Sequence, residues 1–334
     1  LLAVGVSVAL ILHWRADLYD IAVTTVAVAV GRILLASVLA RIAYPPLRVN
    51  LGSWKSDVLR PMLRFSGAAA GLAVGGLTII QAPKLLSGML LDVTAVAKLS
   101  VLLLIGQHMS TIIQSTAAPL FPFASALAVE DRREELADLY VRSTRLCLML
   151  AACLALPLTV FGRSFLTEWL GPEFGDLSVV IGIVQGDFVL RASQMSAHQM
   201  LTATGRITGL TVAQIVRAVV MVLLIVLLTT VWAWGVTGIA VAMAVATVLY
   251  SGLYMPIDAC RQFGMGLVGY YGRVLPRTAA FLTLSAAPLV GVRLLWEPGS
   301  LPAIVGLILA GACLSLGTGL LVMMDRRDRK RIFS

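Results

Sequence analysis

Long apolar stretches, separated by short polar connections, run through this chain almost from end to end. A helix needs about 20 mostly apolar residues to cross the hydrocarbon core of a membrane. The stretches are continuous and do not alternate with polar positions, which favours helices over a β-barrel. The pattern therefore predicts an all-α polytopic membrane protein with about ten transmembrane helices. The predicted spans are 1–13, 20–43, 65–91, 95–119, 144–161, 177–200, 208–231, 235–256, 278–296 and 301–324.

Basic residues are concentrated in every second connection between these spans. Because Lys and Arg favour the cytoplasmic side, the alternation predicts a multi-pass protein with a cytoplasmic C-terminus. The basic set consists of Arg41, Arg48, Lys55, Arg60 and Arg64; Arg132, Arg133, Arg142 and Arg145; Arg206; Arg261, Arg273 and Arg277; and Arg326, Arg327, Arg329, Lys330 and Arg331. The connections at 14–19, 92–94, 162–176, 232–234 and 297–300 are short and poor in basic residues.

The longest polar connection of the basic set, at 128–145, has two interpretations. Its charged run is followed by Leu136, Leu139 and Tyr140, a pattern typical of an amphipathic helix at the membrane interface. The same composition also fits a solvated charged linker, and the sequence does not decide between the two.

The composition leaves no room for a soluble catalytic domain. Hydrophobic residues make up 59% of the chain and charged residues 13%, whereas soluble domains carry about 25% charged residues. Four scattered cysteines are interpreted as small core residues. With three histidines and no clustered carboxylates, we predict no metal site and no cofactor. The sequence shows no nucleophile–base set and no Gly-rich phosphate loop, so we expect neither an enzyme nor a nucleic-acid-binding protein.

Charged residues inside the spans are the best candidates for a functional site. Such residues are costly in lipid and usually face a wet cavity or the protein interior. Lys84, Arg191, Arg217 and Gln214 are therefore predicted to bind substrate. If the three cations share one cavity, it would suit a phosphate or diphosphate better than a cationic drug. The alternatives are that Lys84 and Arg217 snorkel to an interface and that Arg191 only pairs with Asp187.

Two further residues are candidates for ion or proton coupling. Asp187 is the clear acid within a span, and His108 is the best pH-sensitive group beside Gln107 and Gln114. His108 also fits a simpler role, a hydrogen bond between packed helices. Pro83, just before Lys84, is expected to kink or break its helix.

Four stretches resemble polysaccharide lipid flippases of the multidrug/oligosaccharidyl-lipid/polysaccharide exporter superfamily. The first is Arg-Phe-Ser-Gly at 64–67 with the outside loop at 91–99, which lacks the family's usual Gly and Tyr. The second is the Pro-containing stretch at 118–125 ahead of a charged helix. The others are the turn at 165–174, with Trp-Leu-Gly at its centre, and the start of a late span at 234–240.

The resemblance implies a two-lobe transporter of which this chain is the C-terminal part. Residues 1–43 would be the last helices of an incomplete N-terminal lobe, and 44–64 the cytoplasmic linker between the lobes. Residues 65–256 would form the C-terminal six-helix lobe, 257–324 two additional helices, and 325–334 a basic cytoplasmic tail. We therefore expect the sequence to be N-terminally truncated and to lack upstream spans.

The implied function is alternating-access export of undecaprenyl-diphosphate-linked oligosaccharide across the bacterial inner membrane, for cell-surface polysaccharide biosynthesis such as that of the O-antigen. The expected partners are this substrate, membrane lipid, and the polysaccharide polymerase or ligase machinery. One alternative is a drug or cation antiporter of the same superfamily, which would need an acidic cavity. The other is a membrane-embedded polysaccharide ligase or polymerase, which would need a larger outside loop than the one at 162–176.

Overall fold

A computed structural model of the protein describes residues 18–43, 56–296 and 298–324, which are almost entirely helical and contain no strand. A 3₁₀ helix lies at Pro172–Leu177, and π-helical segments lie at Leu227–Val231 and Val248–Tyr254. The α-helices are α1 (Leu18–Ala43), α2 (Ser56–Leu90), α3 (Val93–Ala117), α4 (Leu120–Val129), α5 (Arg133–Leu170), α6 (Ser178–Ser193), α7 (Met195–Ala203), α8 (Ile207–Val226), α9 (Gly235–Thr247), α10 (Met255–Phe263), α11 (Leu267–Leu295) and α12 (Leu301–Val322).

The chain divides near residue 61 into two compact units. The described part of the first unit is mainly α1, a helix of 26 residues whose apolar side chains are largely exposed. The second unit contains most of α2 and every later helix. The lobe boundaries at 44–64, 65–256 and 257–324 stay predictions, and the predicted span 1–13 and tail 325–334 lie outside the described residues.

Within the described residues, seven helical stretches are long and apolar enough to cross a membrane. They are Ser66–Leu90, Val93–Val129, Arg133–Leu170, Ile207–Val231, Gly235–Phe263, Leu267–Leu295 and Leu301–Val322. The prediction of an all-α polytopic membrane protein is confirmed, since continuous helices satisfy their backbone groups internally in lipid. The count of about ten is not reached by this measure, which also leaves out α1 and the short helices α6 and α7.

The charged segment at 128–145 is not a separate interfacial helix or a linker. After a turn at 130–132, α5 begins at Arg133 and continues without a break to Leu170, well beyond the predicted span at 144–161. Leu136 and Tyr140 are buried on its inner face, while Arg132 pairs with Glu130 and Glu135 on the exposed side. The hydropathy pattern predicted too short a helix because the first turns of α5 carry a polar, exposed face beside their buried one.

The predicted span at 177–200 is broken at Gln194 into α6 and α7. The buried Gln194 side chain accepts a hydrogen bond from the Tyr140 hydroxyl (3.0 Å) and donates one to Tyr270 (3.0 Å). The two tyrosine rings are stacked with centroids 4.9 Å apart. The break therefore ties α5, α7 and α11 together through a buried polar network.

Small residues allow close contacts between neighbouring helices. A Cβ added to Gly71 of α2 would lie 2.8 Å from Thr211 Cγ2 of α8, and one added to Gly75 would lie 3.0 Å from Gln214 Cγ. On α12, a Cβ added to Gly311 would lie 2.7 Å from Leu289 Cδ2 of α11, and one added to Gly319 would lie 2.5 Å from Met149 Cγ of α5. Because lipid is as apolar as a leucine side chain, such van der Waals packing is a main source of helix association in membranes.

Candidate functional site

Three helices bring charged side chains, and a fourth brings polar ones, to one cavity, which we call the inner cavity. Its volume is about 290 Å³, and α2, α3, α6 and α8 contribute its charged and polar walls. The residues that give it its chemistry are Lys84, Gln107, Ser110, Asp187, Arg191 and Arg217. Thr111 and Gln114 add two polar groups, and the other lining residues are apolar, a setting in which charges interact more strongly than in water.

The α2 helix carries Lys84 into the inner cavity without a break at Pro83. The expected helix break is therefore wrong, since neighbouring helices in a membrane bundle can satisfy the backbone groups that proline frees. Lys84 is half-buried and forms no ion pair with any residue that the structure describes. It remains an available cation in the wall of the cavity.

A buried charge network centred on Asp187 forms the floor of the inner cavity. Arg191, one turn along α6, lies 3.3 Å from Asp187 Oδ2, which confirms the predicted i, i+4 pair. On the other side, the Thr247 hydroxyl donates to Asp187 Oδ1 and accepts a hydrogen bond from Arg217 (2.7 Å). Asp187 and Arg217 are 4% and 7% exposed, so the hydroxyl joins two buried opposite charges.

Arg217 has a second neighbour in Tyr250, whose ring centroid is 5.2 Å from the guanidinium carbon. The distance is that of a cation–π interaction, which holds the guanidinium group beside the π-helical segment Val248–Tyr254. Within the described residues, neither Arg217 Nε nor the buried Tyr250 hydroxyl has a hydrogen-bond partner. Both are therefore polar groups that a bound anion or alcohol could satisfy.

A second cavity adjoins the first, and we call it the glutamine cavity. It has a volume of about 330 Å³ and shares Gln114, Arg191, Met195 and Arg217 with the inner cavity. Its other polar lining residues are Gln194, His198, Gln199, Gln214, Tyr250 and Ser251. Amide groups both donate and accept hydrogen bonds, so this lining suits a ligand rich in hydroxyl groups.

The charge balance of the two cavities is positive. Lys84, Arg191 and Arg217 face them, and Asp187 is the one carboxylate among the described lining residues. The arrangement favours binding of an anion with at least two negative charges, since one cation is already neutralised locally by Asp187.

The structure brings together most of the predicted site residues. Lys84, Asp187, Arg191 and Arg217 line the inner cavity, and Gln214 lines the glutamine cavity beside Arg191 and Arg217. His108 does not join them: it is exposed on α3 and lines neither cavity, although its neighbour Gln107 faces the inner one. The predicted roles of these residues in binding and coupling stay predictions.

Several site residues carried no clear signal in the sequence. Thr247 and Tyr250 lie in an apolar span, where hydroxyl side chains commonly bond to their own helix and rarely stand out. His198 and Gln194 gain their position only because the helix breaks between α6 and α7. A polar cluster at 194–199 inside a predicted span was the signal that could have indicated them.

The described residues contain no group of His, Cys, Asp and Glu side chains arranged to hold a metal ion. No protein-family model, curated protein or solved structure matches this chain. The chemistry of the two cavities and the membrane fold around them therefore provide the basis for a function.

Proposed function

We propose that this protein is a flippase that exports a lipid-linked oligosaccharide, carried on undecaprenyl diphosphate, across the bacterial inner membrane. The observation that carries the proposal is the meeting of Lys84, Arg191 and Arg217 at the inner cavity beside a single lining carboxylate. A diphosphate carries its charge on several oxygens, which guanidinium groups bind through paired hydrogen bonds. A drug or cation antiporter would need the opposite charge balance.

In this proposal each of the two cavities binds a different polar part of the substrate. The cations of the inner cavity hold the diphosphate, and the amides of the glutamine cavity hydrogen-bond the glycan. Alternating access by rocking of two lobes would then expose the site to each side in turn, with the C-terminus on the cytoplasmic side. No covalent step is needed, so the protein would act as a transporter driven by the membrane potential or an ion gradient.

The location of lipid-linked oligosaccharide in cells that lack the gene provides the first test. A membrane-impermeant glycan-binding probe is applied to intact and to opened spheroplasts. Accumulation that is detected only after opening would show that flipping is the lost step. Accumulation on the outer face would instead indicate a polymerase or ligase, the machinery expected to use the exported glycan, and no accumulation would favour the antiporter.

Site variants in the protein expressed from its own gene test the cationic cavity itself. Lys84→Ala, Arg191→Ala and Arg217→Ala are expected to lower glycan export relative to the amount of protein in the membrane. A charge-assisted hydrogen bond is worth about 1.5–3 kcal/mol, so each change should reduce export about tenfold or more. Lys98→Ala is the matched control, because Lys98 also belongs to a span but lines neither cavity. Normal export in all three site variants would contradict the proposal.

A further inference from the structure

A third cavity opens along the outer surface of α8 and α9, and we call it the lipid-side groove. Its volume is about 540 Å³, larger than that of either polar cavity. Its walls come from α8 and from the end of α9 with the following π-helical segment. They include Val212, Val216 and Val220 on one side and Ala246, Leu249 and Tyr254 on the other.

The walls of the lipid-side groove are apolar and open to the surroundings. Val212 and Val216 are 58% and 55% exposed, and Leu249 is 47% exposed. These residues belong to stretches long and apolar enough to cross a membrane, where an exposed apolar surface is suited to contact with hydrocarbon. A hydrocarbon chain is the ligand chemistry that fits such a surface.

Arg217 connects the lipid-side groove to both polar cavities, since it lines all three. It is the one charged residue among the described residues that line the groove, and it is only 7% exposed. Its Nε and the Tyr250 hydroxyl are buried and have no hydrogen-bond partner among the described residues, and both residues line the groove and the glutamine cavity. An unsatisfied buried polar group destabilises the protein, and a bound phosphate would satisfy both groups.

We propose that the lipid-side groove holds the hydrocarbon tail of a phosphorylated lipid while a phosphate oxygen of the same molecule is bound at Arg217 and Tyr250. The proposal rests on the proposed function and adds the place where the tail of the substrate lies. An amphiphile with an anionic head fits the meeting point of an apolar groove and two polar cavities, because each part of the molecule then has a matching surface.

The phosphate, not the tail, must supply the selectivity of this site. A hydrocarbon chain gains little by leaving the bilayer for an apolar groove, because lipid tails are as apolar as the groove. A charge-assisted hydrogen bond to Arg217 gains much more in a water-excluded setting. Occupancy of the groove should therefore depend on the phosphate, which distinguishes a binding site from ordinary contact with lipid.

The test uses the full protein in lipid nanodiscs and a polyprenyl diphosphate with a photoactivatable group on its tail. The same tail without the diphosphate is the comparison, and cross-linked residues are mapped by mass spectrometry. We expect labelling at 212–216 and 249–250 with the diphosphate probe, and at least about tenfold less with the polyprenol. Equal labelling by the two probes, or labelling confined to other surfaces, would overturn the proposal.

Two tryptophan variants of α8 sharpen the test. Val216→Trp fills the groove and should lower labelling by the diphosphate probe about tenfold. Val219→Trp is the matched control, since Val219 is similarly exposed (51%) but does not line the groove, and it should label as the wild type does. The wild-type map stands even if Val216→Trp fails to fold. If Lys84→Ala abolishes export but the groove is not labelled, only the tail site is wrong; normal export in every cavity variant would overturn the flippase itself.

Discussion

The Thr247 hydroxyl has an unusual position for a residue in an apolar helix. It accepts a hydrogen bond from the Arg217 guanidinium at 2.7 Å and donates one to the Asp187 carboxylate. Thr247 is fully buried, so water cannot replace these bonds if the hydroxyl is lost. The side chain therefore positions Arg217 by linking it to its counter-charge, and it does so between different helices.

We predict that Thr247→Val destabilises the protein and weakens substrate binding, whereas Thr247→Ser retains both. The valine variant keeps the shape but leaves a buried guanidinium and carboxylate without their bridge, a loss of about 1–3 kcal/mol. The midpoint of thermal unfolding in detergent should fall for the valine variant, and export should fall with it.

Thr229→Val, on the preceding stretch Ile207–Val231, is a control for removing a buried threonine hydroxyl. Within the described residues its hydroxyl bonds only to carbonyl groups of its own helix, at 2.6 Å from Ile225 O, and these bonds add little stability. An equal loss of stability in Thr229→Val and Thr247→Val would show that the bridge has no special role.

At the scale of helices, small residues bring α2 close to α8, and both helices line the inner cavity. Gly67, Gly71 and Gly75 recur at four-residue intervals on α2, and the last two face α8. The Thr211 hydroxyl bonds to Ala68 O of α2 at 2.7 Å and to Ile207 O of its own helix at 2.9 Å. These bonds fix the Thr211 side chain, so its methyl group has no room to move aside.

Gly71→Ala should therefore destabilise the protein. The new Cβ would lie 2.8 Å from Thr211 Cγ2, which forces the two helices apart at a cost of about 1–3 kcal/mol. Gly67→Ala, one repeat earlier, meets nothing within 4 Å and should be neutral or stabilising by up to about 1 kcal/mol, because alanine favours the helix. Thermal unfolding of the two variants decides the matter, and equal midpoints would contradict the role of this contact.

The sequence predicted helices better than it predicted where they begin and end. The predicted span at 208–231 agrees closely with Ile207–Val231, since an uninterrupted apolar run leaves little choice of register. The predicted span at 144–161 was shorter than α5. Hydropathy detects only the apolar part of a helix, and the first turns of α5 are charged. Packing of Leu136 and Tyr140 against other helices, which no local pattern shows, extends α5.

The charged residues of the site could be predicted from the sequence, but the side chains that bond to them could not. A Lys, Arg or Asp within an apolar span is rare enough to attract attention in isolation, and Lys84, Asp187, Arg191 and Arg217 all line one cavity. Their partners Thr247 and Tyr250 come from another helix, and the pairing depends on how α6, α8 and α9 pack. His108 shows the opposite failure, since a titratable residue in a span can still face outward.

At the scale of the whole molecule, the connections at the two ends of the helices differ in chemistry. One set contains the ion-paired turn at 130–132 and Arg206, whose Nε donates to Gln262 at 3.0 Å. The other set contains exposed Trp169, Trp232 and Trp234, the residue type that favours the membrane interface. This asymmetry predicts that the basic set lies in the cytoplasm.

Single cysteines at the two ends should report this orientation. We expect Glu173→Cys, in the 3₁₀ helix after α5, to react with a membrane-impermeant maleimide in intact spheroplasts. Glu134→Cys, in the first turn of α5 and so at its opposite end, should react only after the cells are opened. The wild type is the background control: Cys147, Cys153 and Cys260 are buried, and exposed Cys313 lies within an apolar span that a membrane-impermeant reagent does not enter. The two ends of a helix that crosses the membrane lie on opposite sides, so only one of the two cysteines should react in intact cells. The reverse labelling would place the basic turns outside and would contradict the predicted orientation.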